Sequence, residues 1–460
     1  MTEHQVRPAP ARLLRVLGLV FGLAVVVGGV IGSGIMRAPG VVALGLSSEP
    51  LILLAWALGG CVAMLSAMPL VEAGASIPRA GGSYAIATRA FGPTAGFVTG
   101  WLAWLQYVAA NGFISVVFGE YVHRLGLAEQ VPTGALACGL ILAVTALNWV
   151  GTRVSGASQS IASAVKGAAF LVLVVILFLS PRAAASAIAS HPLAAGATAL
   201  GAVVMAIRVI YQTYAGWDSA IYFSEEVHRP DRNVARATFW GIGLVTILYV
   251  LVNAAVLHVL TPGAIAGSAL AVGDAAKVSL GAIGDTVITA MGLFSLAAIV
   301  NLHVMTAPRI SFAMARDGAL PPFLAAVAPG GTPRRSVVMF ALISMVFAAT
   351  GSYEAIVRIY APWSMGTLLI VCLSAIKLRV AEPDLPRPWR MPLFPWIAIG
   401  AAAVQASLIA LVVWDDPRDG LWSALIVIAP LPIYLIFAKT WRRHAATDLD
   451  TGGVIPGEVS

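Results

Sequence analysis

Gly28-Gly29-Val30-Ile31-Gly32-Ser33-Gly34-Ile35 lies inside the first long apolar stretch of the chain, and its reading decides the fold. A helix crossing lipid must satisfy every backbone N–H and C=O internally, and a glycine inside a helix costs about 1 kcal/mol relative to alanine. Three small residues in a row, Gly32, Ser33 and Gly34, work against an unbroken span. Gly28 and Gly32 form a GxxxG pair, which suits close helix packing. The alternative is a broken helix whose freed backbone groups hold a solute, as at the discontinuous helices of transporters.

Around this stretch, 59% of the 460 residues are hydrophobic and only 11% are charged, with a mean hydropathy of +0.89. This excludes a soluble globule. About twelve segments reach the roughly 20 apolar residues that a spanning helix needs, from 16–43 through 198–224 to 421–438. The pattern predicts an all-α integral membrane protein with no room for a large soluble domain. The first stretch is too long for a signal peptide and lacks a small-residue cleavage site, so it is expected to remain as helix 1.

Of 28 Lys and Arg, about twenty fall on one side if the N-terminus is cytoplasmic, among them Arg79, Arg89, Arg153, Arg309 and Arg316. By the positive-inside rule that side, with both tails (1–12 and 441–460), is cytoplasmic, in a cell (inner) membrane. The pI near 9.5 then follows from topology in a lipid bilayer, and nucleic acid is not implied as a partner. Cys61, Cys138 and Cys372 fall in apolar segments and the seven His are scattered. Neither a disulfide framework nor a metal or other cofactor is expected.

Five helices after the first break, segment 198–224 carries Tyr214-Ala215-Gly216-Trp217-Asp218 at similar depth, followed by Glu225-Glu226. Paired interrupted helices, one in each half, point to an inverted-repeat transporter with a midplane site. The first repeat is placed at 13–180 (helices 1–5) and the second at 198–380 (helices 6–10). Helices 11 and 12, at 391–440, lie outside both.

Ionisable side chains inside a membrane are expensive and mark functional sites. Lys166 either snorkels to the interface or sets its ammonium against the broken backbone of helix 1, where another transporter binds sodium. There it is placed to exchange a proton during the cycle. Asp218 follows the second break and is read as a cap on the next half-helix or as a ligand for a substrate amine. Arg37 and Arg208 either face an outer vestibule, disfavouring cationic substrates, or snorkel outward. Glu225 and Glu226 are expected to end helix 6 and to pair with Arg229 or Arg232. Trp217 adjoins the break, whereas most of the other tryptophans suit interface belts.

An interrupted helix offers the N–H groups of its second half to an anion and the carbonyls ending its first half to a cation. Helix 1 therefore presents N–H groups near Ser33–Ile35 to a carboxylate. Helix 6, running the other way, presents carbonyls near Tyr214–Ala215 to an ammonium. An α-amino acid carries both charges on one carbon.

These motifs are recognisable. GGVIGSGIMRAPG (28–40) resembles the helix 1 signature of amino acid permeases in the amino acid–polyamine–organocation superfamily, close to sodium-independent bacterial and L-type transporters. PRAGGSY (78–84), followed by Ala90-Phe91-Gly92-Pro93, is similar to the family's segment between helices 2 and 3. TYAGWDSAIYFSEEVHRPDRNVARA (213–237) resembles its helix 6 and following loop, RISFAMARDGALPPFLAAV (309–327) the end of helix 8, and RPWRMPLFPW (387–396) the start of helix 11. The resemblance covers nearly the whole chain in order. It implies a LeuT-like fold of about twelve helices, a 5+5 inverted repeat with broken helices 1 and 6 around the substrate.

The resemblance also implies that Lys166 matches a helix 5 lysine of sodium-independent branches, and Asn301 a helix 8 position that is often Asn in L-type relatives. Two positions depart from the pattern. Where relatives often carry an aromatic gate before the helix 6 break this chain has Gln212, which leaves Tyr211 or Tyr214 as the gate. The loop after helix 3, about 122–132, has no cysteine, so no disulfide-linked glycoprotein subunit is expected.

The sequence thus reads as a secondary transporter rather than an enzyme, moving neutral L-amino acids by alternating access through proton symport or exchange. Ile31, Gly32, Ser33, Gly34 and Ile35 are expected to hold the carboxylate. Tyr214, Ala215, Gly216 and Trp217 are expected to hold the amine and side chain, with Asn111 of helix 3 reaching the pocket. The rivals are a cationic amino acid or polyamine transporter, with Asp218 as a substrate ligand, and a membrane amino acid sensor.

Overall fold

The computed structural model describes residues 13–32, 34–182, 199–349 and 353–451; Ser33 lies outside the described residues. The described chain forms α1 (Leu19–Val30), α2 (Gly34–Gly45), α3 (Glu49–Ser76), α4 (Ser83–Phe91), α5 (Pro93–Arg124), α6 (Thr133–Val150), α7 (Thr152–Leu179) and α8 (Ala199–Thr213). After a 3₁₀ turn, Trp217–Phe223, come α9 (Pro230–Val259), α10 (Pro262–Ile265), α11 (Ala271–Leu280), α12 (Ile283–Arg316) and α13 (Arg334–Ala349). The chain continues through α14 (Tyr353–Ala381), α15 (Trp396–Asp415), α16 (Pro417–Ile428) and α17 (Leu431–Thr451).

Local chemistry sets several starts. Proline occupies the first position of α5, α9 and α16, where its fixed φ suits a helix and its missing N–H is no loss. At α16 the Asp416 carboxylate also accepts from the backbone N–H groups of Arg418 and Asp419, meeting two donors that a helix start leaves bare.

Among the described residues nine helices are long and apolar enough to cross a membrane, or ten if α1 and α2, bent by 46° at their break, count as one span. Twelve are expected from the sequence. The shortfall is at α8 and α13, with 15 and 16 residues against the roughly 17–25 a span takes. Tyr214–Gly216 cuts α8 short, and α13 ends where the described residues pause. The connection 261–285 contains α10 and α11, and the segment from 441, expected as a cytoplasmic tail, continues α17 to Thr451.

Burial orders the helices. The apolar stretch of α5 is 83% buried, against α4, α6, α12, α13 and α14, whereas that of Pro417–Arg443 is 17% buried. A helix apolar on every side belongs either inside or in lipid. The peripheral helices turn Trp414, Leu421 and Ile436 outward. Near the centre, α1 packs on α7 and α9, and α2 on α8. This brings the two chain breaks side by side.

Candidate functional site

α1 stops because Ile31 takes an extended conformation, φ −71° and ψ 98°. A helix end leaves its last carbonyls without partners, and here side chains from three other helices meet them. Lys166 of α7 donates from Nζ to the carbonyl oxygens of Gly28 (2.9 Å) and Ile31 (2.6 Å). Tyr249 of α9 donates to Val30 O at 2.8 Å, and Ser295 of α12 to Ile31 O at 3.1 Å. Lys166 is 2% exposed, which rules out snorkelling. Its ammonium is solvated instead by the negative end of α1.

The sequence of α7 explains that placement. Gln159, Ser163 and Lys166 recur at helical spacing on one face, and Ser163 Oγ donates to Ala24 O at 2.7 Å. A Cβ on Gly28 would lie 2.2 Å from Ser163 Oγ, so glycine there lets α7 close on α1. The same face continues into a buried amide network. Asn301 donates to Gln159 Oε1 at 2.9 Å, and Asn148 donates to Asn301 Oδ1 at 2.8 Å. Asn301 therefore faces α6 and α7, while its neighbours Ile299 and Leu302 approach the break at Gly32 and Gly29.

The second break follows α8. Gly216 has φ +108°, the left-handed region that glycine enters without a Cβ penalty. The Tyr249 hydroxyl lies 3.2 Å from Thr213 O as well as against Val30 O, so one phenol sits between the breaks. Gly34, opening α2, has the Thr213 side chain 3.1 Å from where a Cβ would stand. The first N–H groups of α2, from Gly34 and Ile35, thus begin beside the carbonyls ending α8.

The side chains after Thr213 divide. Tyr214 donates to Trp56 O at 2.8 Å, and Tyr211 accepts from Gln405 of α15; both phenols are committed to other helices. Trp217, Ile31 and Ile35 are buried, Gly216 and Asp218 half-buried, and Gln212 and Ala215 exposed. Asp218 is no cap: the 3₁₀ turn starts from Gly216 without a side-chain bond. Its carboxylate accepts instead from Tyr107 OH of α5 at 3.3 Å. Tyr107 also meets Ser219 Oγ at 3.2 Å and packs edge-on against His303, ring centroids 5.2 Å apart.

One helical turn beyond Tyr107 on α5, Asn111 is fully buried, and neither polar atom of its side chain has a partner among the described residues. An orphaned buried amide costs about 1–3 kcal/mol. A buried polar group left in this state calls for an explanation, and a bound ligand is one.

At the other end of these helices the carboxylates differ from expectation. Glu226 pairs with Arg309 of α12 rather than with Arg229 or Arg232; both members are buried, with Nη2 2.7 Å from Oε2. Glu225 accepts from Arg316 Nη1 at 2.9 Å and from the Ala80 N–H at 2.9 Å. Arg232 stays beside Asp231, and Arg229 turns the chain into α9 with φ 50°. Burial disfavours ionisation of Glu225, yet Arg316 and the Ala80 N–H outweigh it and hold the carboxyl below its usual range. Leu17 bridges Val227 through its N–H to Glu226 O (3.0 Å) and the His228 N–H to its carbonyl (2.8 Å). Arg37 lies 5.7 Å from the Tyr121 ring centroid.

Tyr249, Ser295, Gln159, Asn148 and Tyr107 were missed in the sequence. A signal for Gln159 was present, since Gln159, Ser163 and Lys166 repeat as polar residues on one face of an apolar span. Among the described residues no three His, Cys, Asp or Glu gather as a metal site.

Comparison with known proteins places this geometry. Residues 17–438 match the amino acid permease family. The chain is 27% identical over 448 residues to the b(0,+)-type amino acid transporter 1 of Mus musculus, covering 95% of this chain and 90% of that protein. It is 28% identical over 437 residues to the serine/threonine exchanger SteT of Bacillus subtilis, covering 92% and 96%. To the large neutral amino acids transporter small subunit 2 of Homo sapiens it is 28% identical over 442 residues, covering 92% and 80%.

Proposed function

Because this chain belongs to the amino acid permease family and is a multi-pass secondary transporter of amino acids rather than an enzyme, we propose that it exchanges neutral L-amino acids by alternating access, without sodium. The observation that carries this reading is the Lys166 ammonium on the carbonyls of Gly28 and Ile31. A fixed cation there leaves no unmet carbonyl charge for sodium to satisfy. Two of the similar proteins are named for serine/threonine exchange and for large neutral amino acids, which supports exchange of neutral substrates.

In this proposal the N–H groups from Gly32 to Ile35, Ser33 among them, hold the substrate carboxylate. The carbonyls of Tyr214, Ala215 and Gly216 hold its ammonium. Trp217 and Asn111 shape the side-chain pocket, and Gln212, exposed beside the break, takes the gate position in place of Tyr211 or Tyr214. Helices 1–5 (13–180) and 6–10 (198–380) form the inverted repeats in the cell membrane, with both termini cytoplasmic. The loop between α5 and α6 has no cysteine, so no disulfide-linked subunit is required.

Uptake of labelled serine, leucine and alanine into proteoliposomes tests this. Uptake that depends on an internal amino acid load, and not on sodium or an acid gradient, is the expected result. Accumulation in unloaded vesicles driven by inward acid would instead make the protein a proton symporter. One observation favours a second reading, a cationic substrate. The Asp218 carboxylate is half-buried beside the break and, among the described residues, meets the Tyr107 hydroxyl and its own backbone. Competition by arginine or putrescine discriminates: it occurs under that reading and fails under the neutral one.

A further inference from the structure

The start of α1 borders a basic pocket that plays no part in the site above. Arg15, Arg153 and His228 line a cavity of about 430 Å³ together with Leu17, Phe21 and Ser160. The three basic residues come from the segment leading into α1, the first turn of α7, and the loop before α9. Small side chains form the floor: a Cβ on Gly156 would already lie 3.1 Å from Leu17 Cδ2.

Charge sets this pocket apart. Arg79, Arg89, Arg316 and Arg379 each hold a carboxylate. No carboxylate among the described residues pairs with Arg15, Arg153 or His228. On either side of His228 in the sequence, Glu226 is held by Arg309 and Asp231 lies beside Arg232. Two guanidinium groups around one cavity repel one another and raise the local concentration of anions, with the His228 imidazole as a further hydrogen-bonding group. A guanidinium fork matches phosphate oxygens in geometry. The pocket also opens beside a lipid-facing surface, since Val154 and Ile161 of α7 are 44% and 65% exposed. Basic pockets between spanning helices at the membrane surface suit anionic headgroups.

We infer that this pocket binds a phosphate group, from an anionic lipid headgroup or a soluble phosphate ion, held by Arg15 and Arg153 with His228 at its rim. Leu17, in the same pocket, already bridges Val227. A bound phosphate fastens the lead into α1 to α7 and to the loop before α9. It thereby stabilises the packing of these three segments against one another.

Native mass spectrometry of the purified full-length protein tests the site, with dioleoyl phosphatidylglycerol, dioleoyl phosphatidylcholine and inorganic phosphate as separate arms. One phosphatidylglycerol is expected to stay bound at concentrations where phosphatidylcholine does not. Replacing both arginines, Arg15→Gln with Arg153→Gln, should weaken it about thirty-fold, which is about 2 kcal/mol at about 1 kcal/mol per basic residue. The double Arg→Lys variant keeps the charge and loses the fork, so its affinity falls between those of the wild type and the Gln variant, which separates lost charge from lost folding. Arg418→Gln, outside the pocket, changes nothing. If inorganic phosphate displaces the lipid, or raises the melting temperature of the wild type but not of the Gln variant, a soluble ion suffices as the ligand. If phosphate does neither while the lipid binds, the headgroup is the source. Equal retention of the two lipids, or equal phosphatidylglycerol binding by the wild type and a folded Gln variant, overturns the proposal.

Discussion

Gly29 and Gly216 meet backbone to backbone. A Cβ on Gly216 would lie 2.7 Å from the Gly29 carbonyl oxygen, and one on Gly29 would lie 2.9 Å from the Gly216 carbonyl oxygen. The contact joins the last turn of α1 to the break that follows α8.

Gly216→Ala is therefore expected to separate the breaks. The new methyl meets backbone rather than a movable side chain, and φ +108° adds about 1–2 kcal/mol of strain for any L-residue. Transport should fall by at least about tenfold, the loss that 1.4 kcal/mol represents, with a lower melting temperature. Gly139→Ala, with nothing within 4 Å, is the control and should leave both readings unchanged. Wild-type transport by Gly216→Ala would show that the breaks do not need this contact.

Lys166→Met keeps the apolar stem and removes the ammonium. The carbonyls of Gly28 and Ile31 then lose a charged donor, at about 1–3 kcal/mol for each buried acceptor left unmet. Amino acid exchange in proteoliposomes should drop by about tenfold or more. Lys166→Arg should not restore it, because the guanidinium is a planar fork where a compact ammonium fits. Normal exchange by Lys166→Met would remove this residue from the mechanism.

Asn111→Leu separates a ligand site from a structural one. Removing a buried amide that has no partner should leave the melting temperature unchanged or raise it, by up to about 1–3 kcal/mol of stability. Substrate affinity should fall at the same time, read as a higher KM. A variant that is destabilised and binds substrate normally would mean that Asn111 serves only packing.

Glu225 carries a pH prediction. Its carboxyl titrates below its ordinary value of 4.5 in the folded protein, so its stabilisation is present above that value and fades as pH falls through the depressed one. Glu225→Gln should therefore lower the melting temperature by a constant amount between about pH 6 and 8, and by progressively less below about pH 4.5. A difference between wild type and variant that grows on acidification would contradict the direction of the shift.

Much of the site was legible in the chain because its signals are local. Gly32 to Gly34 cannot continue a comfortable helix, and Tyr214-Ala215-Gly216 repeats the fault in the second half. A lysine within an apolar span is costly unless it has partners, which drew attention to Lys166 before those partners were known. The pairing of Glu225 and Glu226 went the other way. Nearby Arg229 and Arg232 suggested themselves by sequence distance, whereas Arg309 and Arg316, more than eighty residues on, are the partners. Tyr211 and Tyr214 likewise turn their hydroxyls to α15 and α3, directions that depend on helix rotation and leave no trace in residue spacing.

By itself the sequence determined that the chain is all-helical and lies in a membrane, that two spans are broken, and that charges of both signs can be met at the breaks. Each follows from hydropathy and backbone propensity, which act over a few turns of one segment. Only the tertiary structure decided that Lys166 reaches Gly28 and Ile31, that Tyr249 stands between the breaks, and that Arg15, Arg153 and His228 share one pocket. Those are meetings of residues far apart in the chain, and they are set by how whole helices pack, where each buried polar group takes the partner that packing brings within reach.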